Sequence, residues 1–178
     1  MRGSVLALNG TTSAGKTTLA VALQHRLPDV WFVWGVDTFL STTSIKLYSE
    51  DGIVLADDGT ITLGPEFDRL YDAFRGALRA FVDGGANVIL DEVLLRGAAS
   101  QHTWDEVLAG LDVRWVRVDC DLDVSEAREV ARGDRVIGQA RWQAPRVHDG
   151  VRYDGVVDTS SMTPEQAADE VARQLQLG

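Results

Sequence analysis

Apolar and polar positions follow two alternating rhythms along the chain. Short, almost unbroken apolar runs stand at Val5–Leu8, Trp31–Trp34, Val88–Leu90, Val113–Val118 and Val156–Val157, and each reads as a β-strand. Between them, residues 16–27, 66–83, 101–109, 122–132 and 164–176 place apolar side chains at helical spacing. The last of these has a clear start signal: Thr163 in the capping position, Pro164 next, and Gln166 three residues after the cap. Near-continuous apolar strands separated by helices predict an α/β protein with a five-stranded parallel sheet covered on both faces.

One stretch breaks the alternation. Residues 40–65, LSTTSIKLYSEDGIVLADDGTITLGP, hold two Asp-Gly pairs and two short β-like runs, GIVLA and TITL. Asp58-Gly59 between those runs predicts a hairpin. Placed after the second strand, this insertion is where a lobe for a second substrate fits. No repeat, low-complexity tract or Pro/Ser-rich linker interrupts the chain, so residues 1–178 read as one domain.

Composition narrows the classes. With 178 residues, 45% hydrophobic and 25% charged, the chain is long and apolar enough for a proper core. Its net charge of -10 argues against nucleic acid or an anionic membrane as partner, since either would call for a basic surface. A small anion is still accommodated, because a local cluster of N–H groups and a few cations overcomes the global field. Cys120 is the sole cysteine, which excludes an intrachain disulfide and a cysteine metal cluster. The apolar run near the N-terminus is too short for a signal-peptide core, and no 18-residue apolar run occurs. The expected setting is cytoplasmic. His25, His102 and His148 show no metal-ligand spacing.

The first strand leads into GTTSAGKT, which fits the pattern G-x-x-x-x-G-K-[ST]. Gly10, Thr11, Thr12, Ser13, Ala14 and Gly15 would wrap backbone N–H groups around a phosphate chain. Lys16 would reach the β- and γ-phosphates, Thr17 would offer its hydroxyl to Mg²⁺, and Thr18 continues into the helix. The bland alternative is a glycine-rich strand-to-helix turn with no ligand. The strand before and the helix after supply the context that a phosphate loop requires.

Two carboxylates fall on the same rim. A helix from Lys16 to Leu27 descends about 1.5 Å per residue, and a strand from Trp31 to Val36 climbs back at about 3.3 Å per residue, nearly the same distance. Asp37 therefore returns to the phosphate loop, at the carboxyl end of the sheet where α/β proteins bind ligands. It suits a base for an attacking hydroxyl, or an N-cap for a helix starting near Thr38. Asp91 ends the third strand in NVILDEV, the usual position for holding Mg²⁺; its alternative is a solvated strand end. The run EAREVARGDRVIGQARWQ supplies Arg128, Arg132, Arg135 and Arg141. Phosphoryl transfer is assisted mainly by positioning and charge, so Arg132 and Arg135 are candidates to close over the transferred group, against the reading of a solvated helix face.

Taken together, LNGTTSAGKTTL, WGVDT, LGPEF, VILDEVLLRGAA, LDVRWVRVDCD, AREVARGDR and VHDGVRYDGVVDT resemble the chloramphenicol 3-O-phosphotransferase family, in family order and over nearly the whole chain. The resemblance implies an adenylate-kinase-like three-layer P-loop fold. It implies ATP and Mg²⁺ as cofactors, Asp37 as the base, and an arginine-bearing lid at about 128–147 that includes Arg132 and Arg135. The acceptor would be a small hydroxylated molecule, most directly an antibiotic inactivated by phosphorylation. One departure is visible: Ser41, Thr42, Thr43 and Ser44 follow Asp37 where an apolar wall is expected, and their hydroxyls suit a more polar acceptor or solvent. A metabolic kinase of a nucleoside, sugar or shikimate-like substrate, and a regulatory module that binds ATP without turnover, stay open as alternatives.

Overall fold

The computed structural model describes residues 2–133 and 136–177. Five strands, β1 (Ser4–Asn9), β2 (Trp31–Gly35), β5 (Asn87–Glu92), β6 (Asp112–Asp119) and β7 (Gly155–Asp158), form one parallel sheet in the order β2-β5-β1-β6-β7. Alternation along β1 divides the core. Val5 and Ala7 face a layer with Val88, Leu90, Leu78 and Trp104; Leu6 and Leu8 face the other, with Leu19, Leu23, Ile89 and Val118. The first layer is closed by α3 (Pro65–Asp83) and α4 (Ala98–Val107), the second by α1 (Lys16–Arg26) and α7 (Pro164–Leu175). The expected three-layer α/β fold is therefore present, with strands within a residue or two of their apolar runs. The expected capping box of α7 forms: Thr163 Oγ1 accepts from Gln166 N, and Gln166 Oε1 accepts from Thr163 N.

Several differences from the sequence reading bear on the site. The helix expected at 101–109 begins earlier, at Ala98. Residues 40–65 are not all insertion, because α2 (Val36–Thr42) reaches into them. A 3-10 turn at Ile45–Leu47 follows, then the predicted hairpin of β3 (Ile53–Leu55) and β4 (Ile61–Leu63), paired antiparallel. Its turn is closed by Ala56 N donating to Thr60 O, with Gly59 at φ +84°. Beyond α5 (Leu122–Arg132) lies a helix too short for periodicity to reveal, α6 (Gln139–Gln143). Glu129, buried on α5, holds it: the carboxylate accepts from Gly138 N at 2.8 Å and Ala140 N at 3.1 Å.

Candidate active site

Two cavities meet at the carboxyl end of the sheet. The first, about 480 Å³, is floored by Thr12, Ser13 and Gly15 to Thr18 and walled by Asp91, Arg128, Arg132 and the 162–164 segment. The loop follows from β1 ending at buried Asn9 and α1 starting at Lys16 with Gly15 in the left-handed region before it. The first turn of α1 leaves its N–H groups without intrahelical partners, so they converge on this cavity as an anion site. Among the described residues, Thr12 Oγ1 and Ser13 Oγ are buried without a hydrogen-bond partner, orphans that an anion with bound water or metal would satisfy.

Lys16 and Asp91 are both buried here, Lys16 Nζ standing 4.0 Å from Asp91 Oδ1 and donating to Thr11 O at 2.8 Å. Thr17 Oγ1 donates to Asp91 Oδ2 at 2.6 Å. This hydroxyl and carboxylate are the oxygen donors from which a Mg²⁺ site with one or two protein ligands is made, and the donor set fits that ion. Thr12 N donates to Gln143 Oε1 at 2.6 Å, tying the loop to α6.

The second cavity, about 390 Å³, lies beside the first, and Val36, Asp37 and Val93 line both. Asp37 is a possible N-cap for a helix starting near Thr38 in the sequence, but α2 starts two residues earlier, with Gly35 in the capping position, so Asp37 sits in the first turn. A Cβ on Gly35 would stand 2.0 Å from the Asp91 carbonyl oxygen. Glycine there lets the ends of β2 and β5 close together, which brings Asp37 and Asp91 to one rim.

The walls of the second cavity are mainly apolar. One face of the hairpin supplies Ile53, Leu55, Ile61 and Leu63, in register across the two strands. Leu40, Phe67 and Trp104 add to it. Of the two readings of the Ser/Thr run, polar acceptor or solvent, the structure favours the second for Thr42, Thr43 and Ser44. Thr42 and Thr43 hydroxyls donate to the Thr38 and Phe39 carbonyls, Ser44 Oγ accepts from Lys46 N, and Ser41, though on the cavity wall, donates to Thr38 O. The apolar wall comes from the hairpin instead.

Among the arginines, Arg132 lines the first cavity. Arg128 also lines it, while its guanidinium donates to Thr159 O at 2.9 Å and packs on Cys120 Sγ at 3.3 Å, bracing the loop from behind. Arg141 makes a two-point pair with Glu126 on the surface, and Trp142 is stacked by Arg146; neither lines either of these two cavities. Arg135 lies outside the described residues.

Glu92, which the sequence places beside Asp91 but on the opposite face of the strand, and residues with no expected role at the site complete the second cavity. Glu92, Tyr71, Arg75, Trp104, Gln139 and Gln143 all line it. Tyr71 O–H donates to Glu92 Oε1, a buried pair. Burial pushes the Glu92 carboxyl up to about 7, against the Tyr71 hydrogen bond and the Arg75 charge. Burial, and then the Glu92 charge, holds the Tyr71 hydroxyl well above its ordinary range, so it stays a donor. One signal was available for Arg75: it falls one turn after Tyr71 on the stripe that buries Phe67, Leu78 and Val82, a cation on an apolar face.

Fold and loop together define a P-loop kinase architecture, with one cavity at the phosphate loop and a second sharing its rim. The chloramphenicol phosphotransferase-like family matches residues 3–176, and the chain belongs to it; it is a phosphotransferase. A Mycobacterium tuberculosis H37Rv protein named "Putative O-phosphotransferase Rv2636" is 33% identical over 186 residues, covering 97% of this chain and 80% of the relative. An unliganded sugar kinase from Janibacter sp. HTCC2649 superposes with a TM-score of 0.73 at 17% identity, over 99% of this chain and 96% of the other. The Mycobacterium tuberculosis APS kinase CysC, in complex with AMPPNP and APS, superposes with a TM-score of 0.67 at 17% identity, over 98% of each chain. At these identities the two structures are alike in fold. No helix among the described residues is long and apolar enough to cross a membrane.

Proposed function

We propose that the protein transfers the γ-phosphoryl group of ATP to a hydroxyl of a small molecule, and that this acceptor is an antibiotic. One observation carries the reading: Asp37 lines both the cavity at the phosphate loop and the apolar cavity beside it. A base for phosphoryl transfer has to stand at that junction, because the attacking hydroxyl comes from one side and the phosphate from the other.

In this reading the acceptor oxygen attacks the γ-phosphorus in line while its proton passes to the Asp37 carboxylate. The new O–P bond forms as the bond to the β–γ bridging oxygen breaks, and ADP leaves. Lys16 holds the β- and γ-phosphates, and Arg132, on the wall of the same cavity, stabilises the charge that shifts to the bridging oxygen. Thr17 and Asp91 would hold Mg²⁺, which when bound neutralises phosphate charge. The apolar hairpin wall supports an acceptor with a substantial apolar body over a bare sugar. The family's own description supports the antibiotic reading.

The test is mass spectrometry of acceptors incubated with the protein, ATP and Mg²⁺. Chloramphenicol heads the panel, followed by hydroxylated and glycosylated ribosome-targeting antibiotics, then shikimate, sugars and nucleosides. Phosphorylated antibiotic is the expected product, and Asp37→Asn should lower its formation by about 10²- to 10⁴-fold while ATP still binds. Product from the metabolites alone would replace the antibiotic with a metabolic acceptor. ATP binding with no phosphorylated product from any acceptor would make the protein a nucleotide-binding regulator.

A further inference from the structure

The phosphate loop is held from outside by the end of α6 and the residues just beyond it. Two bonds make the connection: Asn9 Nδ2 donates to Val147 O at 2.6 Å, and Thr12 N donates to Gln143 Oε1 at 2.6 Å. Thr12 and Gln143 are both buried. Only the oxygen of a glutamine amide accepts from a backbone N–H, so the bond fixes which way this amide stands. The helix carries Gln143 in a set position. Glu129 takes the Gly138 and Ala140 N–H groups at its front, and the Gln143 carbonyl accepts from Arg146 N and Val147 N behind, at 2.8 and 3.1 Å.

The loop needs such support. Ser13, next to Thr12, stands at φ +59°, in the left-handed region that a residue with a Cβ enters at a cost. The bond across this turn, Ala14 N to Thr11 O, is long at 3.3 Å. Left to itself, the turn would relax by moving Ser13 to negative φ, which re-aims the N–H groups on either side of it. Ser13 and Gly15 to Thr18 floor the phosphate cavity, so their N–H directions decide how an anion is held. Thr159 Oγ1, donating to Ala14 O at 2.7 Å, fastens one side of the turn, and Gln143 fastens the other. Without the Gln143 oxygen the Thr12 N–H would be buried and unpaired, which costs more than a typical hydrogen bond contributes. Strain at Ser13 and an orphan donor at Thr12 would then both favour a different loop shape.

We propose that Gln143 is a positioning residue for phosphoryl transfer: by accepting from Thr12 N it holds the loop, with Ser13 in its left-handed conformation, in the shape that binds the phosphates before any nucleotide arrives. It acts through Thr12 and not on the phosphates. Gln143 lines the second cavity and not the phosphate cavity, so a side chain from the wall of one sets the floor of the other. The assignment rests on reading the first cavity as the nucleotide site.

The experiment measures binding of AMPPNP with Mg²⁺ to the full chain by calorimetry, with no acceptor present. Wild type, Gln143→Met, Ser13→Gly and the double variant are compared, each checked for an intact thermal unfolding transition. Gln143→Met should weaken binding by about tenfold or more, through the unpaired Thr12 N–H and the loop shape it releases. With glycine at position 13 the positive φ carries no penalty, so the same substitution should cost about threefold or less in that background. A general loss of stability would not produce that non-additivity. A loss below about threefold in Gln143→Met, or an equal loss in both backgrounds, would overturn the inference. Amide hydrogen exchange by NMR gives a second measurement that needs no variant. In the nucleotide-free wild type the Thr12 amide should exchange at least about 10²-fold more slowly than in an unstructured chain, because the bond precedes the ligand. Exchange at the unstructured rate would overturn the inference even where no variant folds. A wild type that does not bind AMPPNP would remove the nucleotide reading of the cavity and this inference with it, whereas wild-type binding that Gln143→Met leaves intact would remove only the role given to Gln143.

Discussion

The two cavities are made of different material. The cavity at the phosphate loop is built largely from backbone: one contiguous loop, the start of α1 and the ends of adjacent strands. The second cavity, proposed above for the acceptor, is built from side chains scattered over α2, the hairpin, α3, α4 and α6. A backbone site has its chemistry fixed by the fold, since N–H groups and a helix terminus point where the chain puts them. A side-chain site can be re-lined without disturbing the sheet. On the proposed reading, this division would let the donor site stay fixed while the second cavity is re-lined.

The division should show most strongly at Lys16. It is buried and belongs to the phosphate cavity alone. Lys16→Met should lower phosphoryl transfer by about 10²- to 10³-fold, the range seen when one positioned charge or donor is lost from a transition state. Acceptor binding, measured by calorimetry without nucleotide, should change less than twofold, as Lys16 does not line that cavity. A large loss of acceptor affinity would mean the two cavities are one coupled site.

A smaller effect of opposite selectivity is expected at the hairpin tip. Gly59 lies at φ +84°, and a Cβ there would stand 2.4 Å from the Gly138 carbonyl carbon. The tip and the segment leading into α6 therefore touch through two glycines, above a cavity that both elements line. Gly59→Val adds a clash and about 1–2 kcal/mol of backbone strain, which together push the hairpin wall away from α6. The acceptor KM should rise by about tenfold with nucleotide affinity unchanged. Steady-state kinetics with each substrate varied in turn reads both.

Why one cavity was legible residue by residue, and the other only in Asp37 and its hairpin, follows from the same contrast. Gly10 to Thr17 are consecutive, so their pattern could be read directly, and the apolar runs that form the sheet gave the strands that carry Asp37 and Asp91 to the rim. The acceptor cavity joins residues such as Leu40, Ile61, Tyr71, Trp104 and Gln143, whose meeting depends on helix packing. Their spacing within each element looks like ordinary core. Thr42 and Thr43 stayed open between acceptor and solvent for a related reason: composition shows a hydroxyl but not its partner, and here the partners are carbonyls one turn back on α2. Short α6 has too few residues for a period to register, though Gln143 on it reaches the phosphate loop.

Acid should weaken the phosphate-loop side through His148. Burial, with help from the Arg117 charge and against Asp119, pushes its pKa from 6.5 down to about 4. Its Nδ1 lies 2.7 Å from Tyr153 Oη, which accepts from the side chain of Asn9 at the foot of the loop. Above pH 6.5 the ring is neutral in folded and unfolded chains alike, so it contributes no pH dependence there. Between 6.5 and 4 the unfolded chain binds a proton that the folded chain refuses, and stability falls. The loss is about 2 kcal/mol by pH 5, or roughly 5 °C in the unfolding midpoint. His148→Gln, which cannot titrate, should flatten that slope in a thermal scan from pH 7 to pH 5. An equally steep slope in the variant would place the acid sensitivity elsewhere.

The smallest expected effect separates the apolar-wall reading of the acceptor cavity from the hydroxyl reading most cleanly. Thr42 and Thr43 do not line the cavity, and their hydroxyls donate to Thr38 O and Phe39 O at 2.7 to 3.1 Å. If these hydroxyls chose the acceptor, Thr42→Val and Thr43→Val would re-rank a panel of polar and apolar acceptors. The observed bonds predict instead a stability loss of about 1 kcal/mol or less each, because an intrahelical side-chain bond to an already bonded carbonyl adds little. Relative kcat/KM across the panel should stay within twofold. Leu63→Ser, on the hairpin face that does line the cavity, should shift the same ranking toward polar acceptors, because it places a hydroxyl on the wall that acceptors touch. A panel that responds to Leu63 and ignores Thr42 and Thr43 would assign specificity to the hairpin, and the reverse response would return it to the Ser/Thr run.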